Sequence, residues 1–304
     1  MAMRTTNFAS LRAPGLRKVI FDDLEGRPFL YKRLFNVDDV LQRQKRGYID
    51  DYPVSGLGAM PEKAEGVGVT YDEPVGGTTR RYTATTFGLG FRVTWEMQQD
   101  DLYNVANRMA RKLSKSGRNR VNVDTFYPFN NGFGTNFTSY DSLSWFNTAH
   151  TLLRGGTQAN RPAAELDFTV NNLQTALEVF KKFVDDDNQY VMIDPDLVLG
   201  AVEQQWNFKE VLESELRPDN ANNAINAILG ENLSYLCSPF YTDTDGWCLL
   251  GKPTDDHGLQ WLWRQQFKFE ESDDFDSGDS KFKLVGRYAT GVTHYLGAWG
   301  TIGA

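Results

Sequence analysis

The sequence predicts an α+β chain, and three stretches carry that prediction. Residues 87–95 alternate with period two. Phe87, Leu89, Phe91, Val93 and Trp95 point one way and Gly88, Gly90, Arg92 and Thr94 the other, the mark of a half-buried strand. Directly afterwards, Leu102, Val105, Met109 and Leu113, flanked by Ala106 and Ala110, recur at helical spacing within residues 96–125. Beyond residue 160, helix and strand signals mix, and the chain ends in strands.

Taken in order, residues 1–50 are polar and weakly periodic, broken by Pro14, Gly15, Gly26, Pro28 and Gly47. A short helix fits residues 37–46, but no apolar stripe builds a core there. Such a segment is either a loose tail or an arm held by another subunit. Residues 69–95 read as a long hairpin. Val67, Val69 and Tyr71 alternate on the outgoing arm, and residues 72–79, with Pro74 and the Gly76-Gly77 pair, mark a turn. The tip is polar and charged, with Asp72, Glu73, Thr78, Thr79, Arg80 and Arg81. A hairpin whose tip has no apolar face is marginal in water, so this one is expected to lean on something else. In the following helix, Arg108, Arg111, Lys115 and Arg118 form a second stripe with Lys112 beside it, and no acid lies between Leu102 and Val123. That face turns either to solvent or to a polyanion.

Residues 130–160 are rich in Gly, Asn, Ser and Thr, with aromatics interleaved, and predict loops and short strands. Residues 169–184 predict a helix capped by Thr169, with Val170, Leu173, Leu177, Phe180 and Val184 inward. Residues 190–193 predict a short buried strand. Asp194-Pro195 then opens a helix running to about Trp206, since proline fits a first helical position. Residues 233–241 and 247–250 predict two strands around the turn "TDTDG". Residues 267–269 and 282–288 predict strands flanking an acidic loop that holds Glu270, Glu271, Asp273, Asp274, Asp276 and Asp279.

At 304 residues with 40% apolar and 13% aromatic content, the chain buries one large core or two modest ones. A formal net charge of -8 argues against nucleic-acid binding over the whole surface. No run of about 18 apolar residues marks a membrane span, and the first 30 residues lack an apolar signal core, so secretion is not expected. Cys237 and Cys248 have no metal or redox spacing and are expected as reduced, small hydrophobes.

Chemistry-bearing motifs are sparse. None of His150, His257 and His294 stands four residues from another, so no helical zinc pair exists. The phosphate-cradling and nucleophile-elbow motifs are absent. "YTDTDG" imitates a calcium loop, but Tyr241 and Lys252 occupy the first and twelfth ligand positions. Asp255, Asp256 and His257 fit an acid–base site or a surface turn. The acidic runs 185–187 and 270–279 read as solvated charge. No catalytic residue, cofactor or metal is expected.

The order of pieces resembles the major capsid proteins of tailed bacteriophages, with the Hong-Kong-97-type (Johnson) fold. Four stretches carry the resemblance: "GLGAMPEKAEGVGVTYDEPVGGTTRRYTATTFGLGFRVTWEMQQDDL", "NQYVMIDPDLVLGAVEQQW", "LSYLCSPFYTDTDGWCLLG" and "FKLVGRYATGVTHYLGAWGTIG". Within that family the chain is most similar to the variant grouped with Mu-like head subunits. The resemblance implies an N-terminal arm at 1–50 and an extended hairpin (the E-loop) with its base at 51–95. It further implies a peripheral domain with its spine helix at 96–187, an axial domain at 188–258, and peripheral return strands at 259–304. It implies self-assembly into hexamers and pentamers around double-stranded DNA, with a portal and separate scaffolding or decoration proteins as further partners. The virion is the implied location, after assembly in the host cytoplasm. Asp72, Glu73, Pro74, Gly76, Gly77, Arg80 and Arg81 would then touch a neighbour. Arg108, Arg111, Lys112, Lys115 and Arg118 would face the lumen, and the six acids of 270–279 would lie where capsomers join. Two alternatives remain: an encapsulin-like compartment with a protein cargo, and a carbohydrate-active hydrolase with two carboxylates in a cleft.

Overall fold

A computed structural model describes residues 9–26, 28–100, 104–217, 225–253 and 258–304. Side chains 9–15, 98 and 99 are not among those described.

Two four-stranded sheets organise the molecule. The first has the order β1 (Asn36–Asp38), β10 (Leu259–Asp273), β11 (Ser280–Val292), β4 (Thr85–Val93). β10 and β11 form a long antiparallel hairpin, β4 runs antiparallel along β11, and β1 lies parallel to β10. The second sheet has the order β12 (Ala298–Thr301), β9 (Trp247–Gly251), β7 (Pro195–Gly200), β8 (Ser234–Cys237). Two short ladders stand apart, β2 (Tyr48–Asp51) with β3 (Arg80–Thr83), and β5 (His150–Thr151) with β6 (Thr157–Gln158).

Seven α-helices accompany the sheets among the described residues: α1 (Ala9–Glu25), α2 (Tyr31–Leu34), α3 (Val40–Arg43), α4 (Trp95–Gln99), α5 (Val105–Asn131), α6 (Val170–Lys181) and α7 (Gln205–Glu213). α6 forms as the pattern predicts. The Thr169 hydroxyl accepts from the Asn172 amide, and Val170, Leu173, Leu177 and Phe180 are buried. α5 is the long predicted helix, extended through Pro128 to Asn131 because Phe126 and Phe129 are buried at its end. Its inward line is Ala110, Leu113, Ser114 and Val121, whereas Met109 is exposed and Leu102 lies outside the described residues.

A single core of buried side chains runs from α2 through α5 and α6 into both sheets, centred on Trp145, Trp247, Trp261 and Tyr295. A smaller cluster joins Leu16, Ile20 and Leu24 of α1 to Val93, Ala110, Leu113, Phe282 and Leu284. A third gathers Leu41, Tyr82, Ala84, Leu262 and Ala289 at the base of the β2–β3 ladder.

Several expectations need correction. The N-terminal segment does build core: α1 packs on α5 within the same chain, and the Ser114 hydroxyl donates to the Ile20 carbonyl at 3.1 Å. Pro14 and Gly15 mask the stripe Leu16, Ile20, Leu24 in the sequence, because they lie inside the helix rather than ending it. Residues 67–71 do not pair with 87–95, for β4 takes its ladder from β11 across the whole chain. The predicted order of strand and helix after residue 190 shifts forward. Tyr190 and Met192 are exposed, Pro195–Gly200 is the buried strand, and α7 begins at Gln205. Strands β8 and β9 are not hairpin partners, since β7 lies between them. The return strands end at Val292, because Ala298–Thr301 crosses to the second sheet.

Candidate assembly surfaces

Three surfaces inherit the residues singled out by sequence. The first is the loop between β2 and β3. Its stem is held by ladder pairing, by a bridge between Val54 and Gly76, and by backbone bonds from Ser55 to Val75 and from Gly77 to Pro53. Arg154 closes the stem from outside. Its guanidinium meets Asp187 at 2.5 Å and Asp72 at 3.0 Å, and donates to the Glu73 carbonyl at 2.8 Å. The Gly58 amide donates to the other Asp72 oxygen at 2.7 Å, and Gln189 donates to the Leu57 carbonyl at 2.6 Å. The Arg154 guanidinium, with the Gly58 amide, holds the Asp72 carboxyl below its ordinary range. Asp72, Glu73, Pro74, Gly76 and Gly77 therefore form a stem folded onto their own chain. Arg80 and Arg81 lie lower still, in β3. Arg80 donates to the Thr138 carbonyl, and Arg81 makes a two-pronged pair with Asp50 and stacks over Tyr48. The charged residues read as a tip are the base, and the true tip is the stretch 59–71. There Met60 is 95% and Tyr71 90% exposed, and Val67 and Val69 are bare.

Arg154 and Asp187 escape the sequence reading. Asp187 belongs to an acidic run read as solvated, yet its side chain is fully buried against Arg154. Its neighbour Asp186 is also buried, accepting from the Tyr140 hydroxyl at 2.8 Å and the Leu153 amide at 3.1 Å. The only local signal is the Gly155-Gly156 pair after Arg154, both with positive φ, which turns the chain back sharply.

The second surface is the outer face of α5. At roughly 3.6 residues per turn, Arg108, Lys112 and Lys115 fall on the side away from Ala110, Ser114 and Val121, with Arg111 on its flank. All four are exposed, and none has an acidic partner among the described residues. Arg118 departs from the stripe. It lies mostly buried against α1, 3.7 Å from Asp23.

The third surface is the acidic hairpin. Glu270 pairs with Lys268 at 2.7 Å and Lys283 at 2.8 Å, which push its carboxyl down to about 2. Asp274 pairs with Lys281 at 2.6 Å, and its carboxyl is likewise held low. Asp279 is buried. It pairs with Arg92 and accepts from the Trp95 amide at 3.1 Å. Asp273 accepts from Ser280 at 2.6 Å. Burial, and then the nearby Asp273, raise the Glu271 carboxyl. Three of the six acids thus find their cations in the same chain, and Glu271, Asp273 and Asp276 have no basic partner among the described residues. At the turn, Phe275 is fully exposed.

Among the described residues no three His, Cys, Asp or Glu side chains gather as a metal site, and no helix is long and apolar enough to cross a membrane. Asp255, Asp256 and His257 lie outside the described residues. Both cysteines are free, and burial raises both thiols, Cys237 to about 11 and Cys248 to about 12.

A family described as phage capsid protein matches residues 77–300. The chain belongs to this family. Among solved structures, the capsid of the cyanophage P-SCSP1u is similar with a TM-score of 0.59 at 11% identity, over 91% of this chain and 89% of that one. The capsid of the Myoviridae phage XM1 is similar with a TM-score of 0.56 at 11% identity, over 90% of this chain and 91% of that one. A virus-like particle from Pyrococcus furiosus gives 0.55 and 10%, over 95% and 98%. No protein of curated function matches. The architecture is the Hong-Kong-97-type capsid fold, and the protein is a structural capsid protein of that type.

Proposed function

We propose that this capsid protein assembles into hexamers and pentamers that close an icosahedral head around double-stranded DNA, with the outer face of α5 turned to the lumen. The observation that carries the lumen assignment is the exposed, acid-free cluster Arg108, Arg111, Lys112 and Lys115 on a chain of net charge -8. Cations on one helix face offset the repulsion of confined phosphates through contacts that carry no sequence information. A modest cluster suits a shell that must also release its contents. The first sheet with α5 would form the peripheral domain, and the second sheet with α7 the axial domain at the capsomer centre. The partnerless acids Glu271, Asp273 and Asp276 would face neighbouring capsomers. A portal, separate scaffolding or decoration proteins, and assembly in the host cytoplasm before residence in the virion belong to the same reading.

The experiment reverses Arg111 and Lys115 to glutamate and measures the genome length packaged per particle by complementation. Normal empty shells with shortened or unstable packaging are expected. Unchanged packaging and particle stability would reduce the stripe to a solvated face. The one second reading is the alternative that the sequence resemblance leaves open, a compartment around a protein cargo, and the shared fold of a virus-like particle accommodates it. Purified particles that hold protein and no nucleic acid would establish it.

A further inference from the structure

The loop between β2 and β3 is held at two levels that differ in kind. At the base, the ladder is locked into the core. Tyr82 is buried, its hydroxyl is hydrogen-bonded to that of Thr293, and the Thr293 hydroxyl donates to Asp51 at 2.5 Å. Just above, the Gly77 amide donates to the Pro53 carbonyl, and Gly77 lies so close to Pro53 and to Leu153 of the body that a Cβ would touch both. Beyond that point the stem is tied to the body by polar contacts. Arg154 reaches Asp72 and the Glu73 carbonyl, and Gln189 reaches the Leu57 carbonyl. Leu57 itself is 60% exposed.

Asp187 sits under this stem in an unfavourable place. Its side chain is fully buried, and neither carboxylate oxygen accepts a well-directed hydrogen bond among the described residues. Its compensation is the pair with Arg154, and a buried pair recovers only part of the hydration that both ions lose. Gly56 of the stem forms the lid, since a Cβ there would stand 2.8 Å from the Asp187 Oδ2. One guanidinium thus serves an acid of the body, Asp187 at 2.5 Å, and an acid of the loop, Asp72 at 3.0 Å. Asp186 ties the turn that carries Arg154 to the body through the Leu153 amide, so the guanidinium stays behind when the stem moves.

We propose that Arg154, Asp187 and Asp72 form a salt-sensitive clasp with two positions within one subunit. In the closed position Gly56 covers Asp187. In the open position the stem is swung away about Pro53 and Gly77, and water stands over Asp187. Opening breaks a partly exposed ion pair and the contacts to Glu73 and Leu57. It returns the Asp187 carboxylate to water with Arg154 still beside it. An exposed pair contributes little and an under-satisfied buried carboxylate costs much, so loss and gain nearly balance, as a two-state element requires. Salt screens the outer Asp72 pair more than the enclosed Asp187 pair, and therefore favours the open position. The clasp regulates the direction in which the loop leaves its own subunit, whatever the loop then meets. It goes beyond the shell reading and is tested on the free subunit.

The test places spin labels on Met60→Cys and Glu178→Cys, both exposed, in a Cys237→Ala background, and measures their separation in the free subunit by double electron–electron resonance. Two separations are expected, and their ratio should move about three- to tenfold towards the second between about 0.05 and 0.5 M salt. Asp72→Asn removes the outer pair and should leave the second separation dominant at every salt concentration. Gly56→Ala removes no charge, but its Cβ wedges the lid off Asp187, and it should act in the same direction. Hydrogen exchange at the Tyr82 amide should stay slow throughout, because the base does not open. One separation, unmoved by salt and by both substitutions, is the signature of a fixed structural pair and overturns the proposal. Exchange at Tyr82 that accelerates in step with the second separation overturns it too, for the loop then moves only by unfolding its base.

Discussion

The acidic hairpin of β10 and β11 and the loop between β2 and β3 both leave the body of the subunit, and both look from sequence like elements in need of a neighbour. They solve the problem differently. The hairpin carries Lys268, Lys281 and Lys283 beside its acids, and strand pairing sets Glu270 opposite Lys283. Half of its acids, Glu270, Asp274 and Asp279, are neutralised at home. The loop has no ladder beyond its stem. Arg154 and buried Asp187 fix the stem, but the tip leaves Met60, Val67, Val69 and Tyr71 bare. A run of like charge thus says little about a missing partner, because cross-strand cations can be supplied by the same chain. Bare apolar side chains on an unpaired segment say more.

The largest expected effect comes from replacing residues 59–70 with a short glycine–serine linker that keeps Asp72 and the Arg154 contacts. The subunit should fold with little change in melting temperature, and closed shells should vanish from micrographs. Shells of normal yield would show that the bare tip is not the assembly element. Next is Ile20→Ala, which opens a cavity between α1 and α5. It should cost the isolated subunit about 2–4 kcal/mol by denaturant unfolding. An unchanged unfolding midpoint would return the N-terminal segment to the role of an arm held by neighbours.

A smaller effect is expected from Arg154→Gln. Secondary structure and global stability should be nearly kept, while limited proteolysis within residues 57–73 should accelerate, because the stem loses its clamp. Unchanged cleavage would mean that ladder pairing alone holds the loop. Smaller again is the reversal of Glu271, Asp273 and Asp276 to lysine. Folding should be unaffected and capsomer joining slowed, as followed by light scattering. Assembly at the normal rate would make the whole hairpin self-contained.

The smallest effect is a pH dependence. The Glu270 carboxyl is lowered from 4.5 to about 2 by Lys268 and then Lys283. A lowered folded value means that its contribution is complete above the ordinary carboxylate range and is lost as the pH falls through the folded value. The stability difference between the unsubstituted chain and Glu270→Gln should therefore be flat from neutral pH to about 5 and fade towards about 2. A difference already lost near 4 would mean that the two lysines do not hold Glu270 in solution.

Sequence by itself determined the elements whose pattern is local. Thr169 and the stripe behind it specified α6, the alternation of Phe87, Leu89, Phe91 and Val93 specified β4, and the ordered pieces specified the capsid resemblance. The basic face of α5 was legible for the same reason, since 3.6-residue periodicity fixes which side chains share a side. Only the tertiary structure decided the rest. It paired β4 with β11 instead of residues 67–71, set β7 between β8 and β9, and sent Ala298–Thr301 to the second sheet. It turned Arg118 to Asp23 and buried Asp187 under Arg154. Each of these joins residues far apart in the chain. Periodicity reports which face of an element is apolar, but the partner of that face is chosen by the packing of the whole core, which no local pattern encodes.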